Sequence, residues 1–366
     1  MERDELAAWL RLIETPQVGR ETARRLLARF GSPQAVFDAR PAAWREVAGS
    51  AVAASLADPP ATLTALIEST AAWLAQGERR AVVTLADAHY PSSWLETPDP
   101  PLLVYVQGRP ELLARAAVAI VGSRNPTPQG RENASAFARS LSQAGLCIVS
   151  GLALGVDGAA HEGALEGAGS TIAVVGTGLD RVYPRRHLAL AHRIAQQGLL
   201  VSEFALGSQP LAAHFPQRNR LIAGLASGTL VVEAALQSGS LITARLAAEY
   251  GREVFAVPGS IHAPQARGCH ALIRQGAKLV EQASDILEEL RLATTAQPGG
   301  PTQASAPPAA EDWLLEALGF DPVTLDALVE RTGTAPAELA ARLLELELDG
   351  RVARLPGQLF QRVKLA

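Results

Sequence analysis

Glycine, serine and arginine recur together at short intervals between residues 122 and 240. The first group is Gly122-Ser123-Arg124-Asn125, followed by Gly151 and Gly155-Val156-Asp157-Gly158. Then come Gly176-Thr177-Gly178-Leu179-Asp180-Arg181 and Tyr183-Pro184-Arg185-Arg186. The last groups are His214-Phe215-Pro216-Gln217-Arg218-Asn219-Arg220 and Gln237-Ser238-Gly239-Ser240. These residue types suit anion binding. Glycine lets a phosphate approach backbone N–H groups. Serine hydroxyls donate, and arginine adds charge and a planar fork of donors. Phe215 offers a face on which a base can stack, although core packing uses the same side chain equally well.

Other chemistries are weaker in this chain. Gly176-x-Gly178 opens like a dinucleotide fingerprint, but the third glycine position is Arg181. No Gly-Lys-Ser/Thr occurs, so a Walker-type nucleotide loop is absent. Asp157 and His161 are four residues apart and share a helix face. The expected roles are a helix-capping Asp157 and a buried, hydrogen-bonded His161 rather than an acid–base pair. Cys269-His270 has no second pair at ligand spacing, so no metal site is expected. His214 either touches a phosphate or is a loop histidine. Glu203 and Glu233 end strands beside the arginines, and the expectation is that they orient arginine side chains.

The elements that must position these loops are legible as alternating strands and helices over 111–290. Apolar, mostly β-branched runs fall at Val118–Val121, Cys147–Ser150, Ile172–Val175, Leu200–Glu203, Thr229–Glu233, Val254–Val257 and Lys278–Val280. Strands of this kind are buried on both faces. Repeated β-α-β units imply a parallel, doubly wound sheet, whose ligands bind beyond the carboxyl ends of the strands. Five of the glycine-serine-arginine loops follow such strands and so converge on one rim. Two further strands are expected around Val82–Leu85 and Leu102–Val106.

The flanks differ in character. Residues 1–75 read as a small helical domain and 80–290 as the α/β domain. The stretch 291–310 is a linker rich in proline, alanine and glycine. Residues 311–366 give helices followed by a hairpin, a winged-helix pattern. Net charge is −4, which argues mildly against nucleic acid. Charge is patchy, however: 180–220 holds six arginines against one Asp and one Glu, whereas 311–366 holds ten acids against six bases. Lysine occurs only at 278 and 364, an arginine bias that base composition explains better than function does. The two cysteines, Cys147 and Cys269, suit a reducing compartment, and no run is long enough to span a membrane. The expected location is the cytoplasm.

Several long motifs then resemble one family. They are Ser150-Gly-Leu-Ala153 with Asp157 and Ala159-Ala-His161; Phe215-Pro-Gln-Arg-Asn-Arg-Leu-Ile-Ala-Gly-Leu225; Val232-Glu-Ala-Ala235 with Ser238-Gly-Ser-Leu-Ile-Thr-Ala-Arg245; and Val257-Pro-Gly-Ser260 with Gly268-Cys-His-Ala-Leu-Ile273. In this order they resemble the DNA-processing protein A family (DprA, also called Smf), strongly over 80–290. The resemblance implies an extended Rossmann-like α/β fold flanked by a helix-hairpin-helix or SAM-like unit and a winged helix. It implies a homodimer, without established catalysis or cofactor, that binds single-stranded DNA during natural transformation. Such a protein protects incoming strands and loads the recombinase RecA; single-strand-binding protein is a further candidate partner.

The resulting nucleic-acid-binding candidates are Gly122, Ser123, Arg124, Gly151, Arg185, Phe215, Arg218, Asn219, Arg220 and Ser240. Gly122, Ser123, Gly151 and Ser240 are expected to offer donors; Arg124, Arg185, Arg218 and Arg220 are expected to neutralise phosphates. Two readings concern the flanks. Gln17-Val18-Gly19-Arg20 is a thin version of the glycine hairpin, and the acidic C-terminal unit suits protein contact better than duplex DNA. A rival reading starts from Gly228-Thr-Leu-Val-Val-Glu233, which is similar to part of the nucleotide N-glycosidases related to lysine-decarboxylase-like proteins. Ala226-Ser227 stands where that motif has glycines. A pure scaffold with an empty pocket is the third reading.

Overall fold

The structure is a computed structural model and describes residues 2–77, 79–291 and 312–363. Helices α1 (Arg3–Glu14), α2 (Arg20–Phe30), α3 (Pro33–Asp38), α4 (Pro41–Ala57, broken at Gly49) and α5 (Leu63–Ala75) form the first unit. Leu6, Trp9, Leu10 and Leu12 bury one face of α1, as their spacing dictates. Helix α2 stops at Gly31, whose φ of 89° suits glycine and whose N–H closes on the Leu27 carbonyl.

Strand β1 (Arg80–Thr84), the short helix α6 (Ser92–Leu95) and β2 (Leu103–Gly108) begin the α/β unit. Then β3 (Ala117–Val121), α7 (Pro128–Gln143), β4 (Cys147–Ser150), α8 (Val156–Ala164), β5 (Thr171–Val174), α9 (Leu188–Gln197) and β6 (Leu199–Ser202) alternate. They are followed by α10 (His214–Leu225), β7 (Gly228–Val231), α11 (Ser240–Glu249), β8 (Glu253–Ala256), α12 (Arg267–Arg274), β9 (Lys278–Leu279) and α13 (Ala283–Glu289). The nine strands make one sheet in the order β1-β2-β6-β5-β4-β3-β7-β8-β9. Every pairing from β6 to β9 is parallel, whereas β2 is antiparallel to both β1 and β6. The sheet is therefore doubly wound with an antiparallel edge, and every residue of β3 to β7 is buried. Strand ends differ from the sequence expectation by a residue or two, because β-branched runs continue into the loops beyond the ladder.

One face of the sheet shares its core with the first unit: Leu102, Tyr105 and Leu200 pack with Leu10, Leu12 and Trp73. The opposite face packs on α10, α11 and α12 through residues such as Leu221, Ile222 and Ala244 beside Val104 and Val231. Polar contacts fasten the first unit as well. Arg20 and Arg24 both bond to the Asp99 carboxylate, and Arg220 from α10 pairs with Asp99 and Glu203. These guanidinium partners hold the Asp99 carboxyl below its ordinary range although its burial pushes the other way.

The expected linker 291–310 lies, beyond Arg291, outside the described residues. Helices α14 (Trp313–Leu318), α15 (Leu325–Thr332) and α16 (Pro336–Leu348) and strands β10 (Val323–Thr324), β11 (Val352–Leu355) and β12 (Leu359–Arg362) build a winged helix. Its separate core includes Leu315, Leu328, Leu339, Leu343, Leu346 and Phe360. Among the described residues no helix is long and apolar enough to cross a membrane.

Candidate nucleic-acid interface

From β3 the chain winds outward through β4, β5 and β6, then returns to lay β7 against the other side of β3. The carboxyl ends of β3 and β7 thus flank a topological switch point, the place where open parallel sheets bind ligands. A cleft of about 690 Å³ opens there. Gly122 and Arg124 enter it from the loop after β3, Asp157 from α8, Tyr183 from the loop after β5, and Phe215, Arg218 and Asn219 from α10. The Ser238-Gly239-Ser240 start of α11 closes the far wall.

The Gly122-Ser123-Arg124 turn is fastened across the switch point. The Ser123 N–H donates to the Glu233 carbonyl at 2.7 Å, and the Ser123 carbonyl accepts from the Val156 N–H at 3.1 Å. Its hydroxyl accepts from the Asn125 N–H at 3.1 Å. A Cβ on Gly122 would stand 2.7 Å from Val156 Cγ2 and 2.9 Å from the Glu233 carbonyl oxygen, so only glycine fits. The Ser123 amide thus holds the turn, and the donor it has left for a ligand is its hydroxyl.

Arg124 is exposed, and its guanidinium carbon lies 5.6 Å from the centre of the Phe215 ring. Phe215 in turn meets Tyr183 at 5.7 Å with the rings tilted by 44°. A cation and two aromatic faces thus form one shelf at the mouth of the cleft, a geometry that suits cation–π contact and base stacking. Arg185 is exposed in the same loop as Tyr183, two residues further on, but is not part of the cleft wall.

Arg218 lies behind the shelf and is buried. One of its Nη groups donates to the Gly151 carbonyl at 2.7 Å, while its Nε has no partner among the described residues. The Gly151 N–H donates to Asp157 at 3.1 Å, and the Ala153 N–H reaches the same oxygen at 3.3 Å. Gly151 is thus committed at both its amide and its carbonyl, so it shapes the loop rather than presenting a donor. A Cβ there would collide with the Arg218 guanidinium. Burial pushes the Arg218 pKa down and the Asp157 pKa up, and each charge opposes the shift of the other. Asp157 therefore ties residues 151–153 instead of capping α8, whose N-cap is Gly155.

Arg220 departs from expectation. It is buried and faces away from the cleft: its guanidinium bonds to the Glu203 carboxylate and to the Asp99 carbonyl at 2.7 Å. It fixes the Asp99 and Glu203 carboxylates, which Arg20 of the first unit also reaches, and is not placed in the cleft to neutralise phosphate. Glu203 orients an arginine as expected, but Glu233 does not. Its two carboxylate oxygens accept from the Thr127 N–H at 2.9 Å and the Thr127 hydroxyl at 2.6 Å, anchoring the start of α7. Asn219 reaches the Gly239 carbonyl at 3.4 Å, and the Ser240 hydroxyl pairs with that of Ser238 at 2.7 Å.

The remaining candidates are structural. His161 is fully buried; its Nε2 accepts from the Leu152 N–H at 3.3 Å and its Nδ1 meets the Thr171 hydroxyl at 2.7 Å. Burial drops its pKa to about 3, so it is neutral. His214 stacks on Phe204 at 4.0 Å and places Nδ1 3.1 Å from the Gly176 carbonyl. Cys269 is buried, and no group of His, Cys, Asp and Glu suited to a metal occurs among the described residues. Tyr183 and Thr127 were missed by sequence reasoning. Tyr183 is 47% exposed, and an aromatic residue in the loop after a buried strand was the available signal.

Fold and site together define an open α/β protein with a cleft lined by arginine and aromatic side chains at its switch point, preceded in the chain by a helical unit and followed by a winged helix. Residues 81–291 match the family described as DNA recombination-mediator protein A, and the chain belongs to that family. Residues 3–58 match a DprA-like N-terminal HHH domain, and 298–358 match a DprA winged helix domain. Protein Smf of Escherichia coli is 44% identical over 298 residues, covering 80% of this chain and 79% of its own. The crystal structure of DNA processing protein A from Streptococcus pneumoniae is 35% identical with a TM-score of 0.68, covering 79% of this chain and 98% of its own. A structure of the Helicobacter pylori protein, described for its single-stranded DNA binding mode, is 34% identical with a TM-score of 0.52 and covers 57% of this chain and 95% of its own.

Proposed function

We propose that this chain binds single-stranded DNA along the strand-end rim, independently of sequence, and serves recombination as a mediator. The observation that carries the reading is the shelf of Arg124, Phe215 and Tyr183 in front of the buried, incompletely partnered Arg218. Arg124 and Arg185 are exposed and make no ion pair with another described residue, so both are free to meet phosphates. Arg218 supplies fixed positive potential at the floor. Phosphate contacts carry no base code, and stacking on Phe215 tolerates every base. Gly122 and Ser123 shape the rim, while Asn219 and Ser240 extend it toward α11.

The finer parts of this proposal are those the motif resemblance implies: a homodimer that presents two grooves to one strand, protects incoming DNA in the cytoplasm during natural transformation, and hands it to RecA, with single-strand-binding protein as a further partner. The division into 1–75, 80–290, 291–310 and 311–366 belongs to the same proposal. The N-glycosidase alternative needs a carboxylate free to act on a nucleotide, and Glu233 has both oxygens engaged by Thr127. Titration of a labelled oligonucleotide tests strand binding. Salt-sensitive affinity without release of free base is the expected result; base released from a nucleoside monophosphate, and lost in Glu233→Gln, would favour the enzyme.

A further inference from the structure

Helices α15 and α16 are joined by a short turn through Gly333, whose φ of 67° marks the end of α15. This is a helix-turn-helix, and α16 holds the position of the helix that enters a DNA groove in proteins that use the motif that way. Its outward face is unsuited to that task. Ala337, Ala341, Leu344 and Leu348 are all exposed, Leu344 by 56% and Leu348 by 81%. Their spacing of four, three and four residues places them on one narrow stripe, since helix positions advance by about 100° each. Leu339, Leu343 and Leu346 point the opposite way and are buried in the winged-helix core. The outer stripe is therefore surplus to the fold.

Charge flanks the stripe with one sign. Glu338 and Glu345 lie along one side and Glu347 along the other. The one cation of the helix, Arg342, is bound to Asp312 and Glu345. A groove-reading helix needs donors and positive charge at these positions; this one offers leucine between glutamates. The spacing is that of a two-helix seam, in which charges beside the apolar stripe select the partner. A second copy of α16 would set glutamate against glutamate.

We propose that the outer face of α16 is a docking surface for an amphipathic helix of a partner protein, with an aliphatic seam and lysine or arginine on its flanks. This surface lies on a separate unit and does not depend on the DNA cleft.

The test uses the full chain and two synthetic helical peptides with the same leucine seam, one with lysine flanks and one with glutamate flanks. Fluorescence anisotropy should show the lysine peptide binding about tenfold or more tighter, with the preference falling as salt rises. The variant Leu344→Asn/Leu348→Asn, at exposed positions, should weaken that binding about tenfold while oligonucleotide affinity is unchanged. Glu338→Lys/Glu347→Lys should reverse the peptide preference. Equal binding of both peptides, or binding insensitive to both variants, overturns the proposal. So does self-association of the chain that Leu344→Asn/Leu348→Asn abolishes, or duplex DNA binding lost in that variant.

Discussion

At the residue scale, arginines that look alike in sequence have different tasks. Arg218 and Arg220 are two positions apart on one helix, yet one floors the cleft and the other faces two carboxylates. Arg220→Ala leaves the mostly buried Glu203 without its closest cation. Breaking such a pair costs about 3–5 kcal/mol, so denaturant melting should show a large loss of stability. Arg124→Glu should do the reverse: unchanged melting, and oligonucleotide affinity lower by about tenfold or more. If the two variants exchange these effects, the assignment of the cleft is wrong. His161 gives a pH-dependent test. Its folded pKa, about 3, lies below the unfolded value near 6.5. The unfolded state therefore binds the extra proton between these values, and the stability from this group, present above the unfolded pKa, is lost as pH falls. The stability advantage of the wild type over His161→Gln should narrow by up to about 1.4 kcal/mol per pH unit below pH 6.5. A gap constant from pH 7.5 to 4.5 would mean that His161 is not held neutral by the fold.

At the element scale, the parallel strands and their loops were legible because strands buried on both faces read as unbroken apolar runs. Cys147–Ser150 is the same in sequence reading and structure. The loops after these strands were legible too, since glycine and serine cluster where backbone turns tightly. Hydrogen-bond direction was not. Ser123 and Gly151 have the composition of phosphate donors, but their amides are spent on Glu233 and Asp157. Nothing in a one-dimensional pattern shows that a Glu233 carboxylate crosses to Thr127, more than a hundred residues away. The polar part of the joint between the first unit and the sheet was likewise hidden, because it gathers Arg20, Arg24 and Arg220 from distant parts of the chain on Asp99. Asp99→Asn should loosen that joint. Hydrogen exchange in α2 should accelerate, while the amides of β3 to β5 stay protected. Equal protection in variant and wild type would show that the apolar contacts alone hold the unit.

At the scale of the whole molecule, net charge was a poor guide. The chain is acidic overall, yet residues 180–220 hold six arginines against one Asp and one Glu, Arg124 stands exposed at the cleft, and 311–366 hold ten acids against six bases. A negative molecule can hold a polyanion because a phosphate responds to the local potential, which salt screens within about 10 Å at 0.1 M. The rim is also continuous, from the Tyr183 loop through α10 to α11, which fits an extended strand better than one nucleotide. The most direct test of this account is the slope of log affinity against log salt for a single-stranded oligonucleotide, measured for the wild type and for Arg124→Ala. The account predicts a clearly negative slope, about −0.7 for each phosphate neutralised, that becomes shallower by about that amount when Arg124 is removed. A wild-type slope near zero, or one identical in Arg124→Ala, would contradict it.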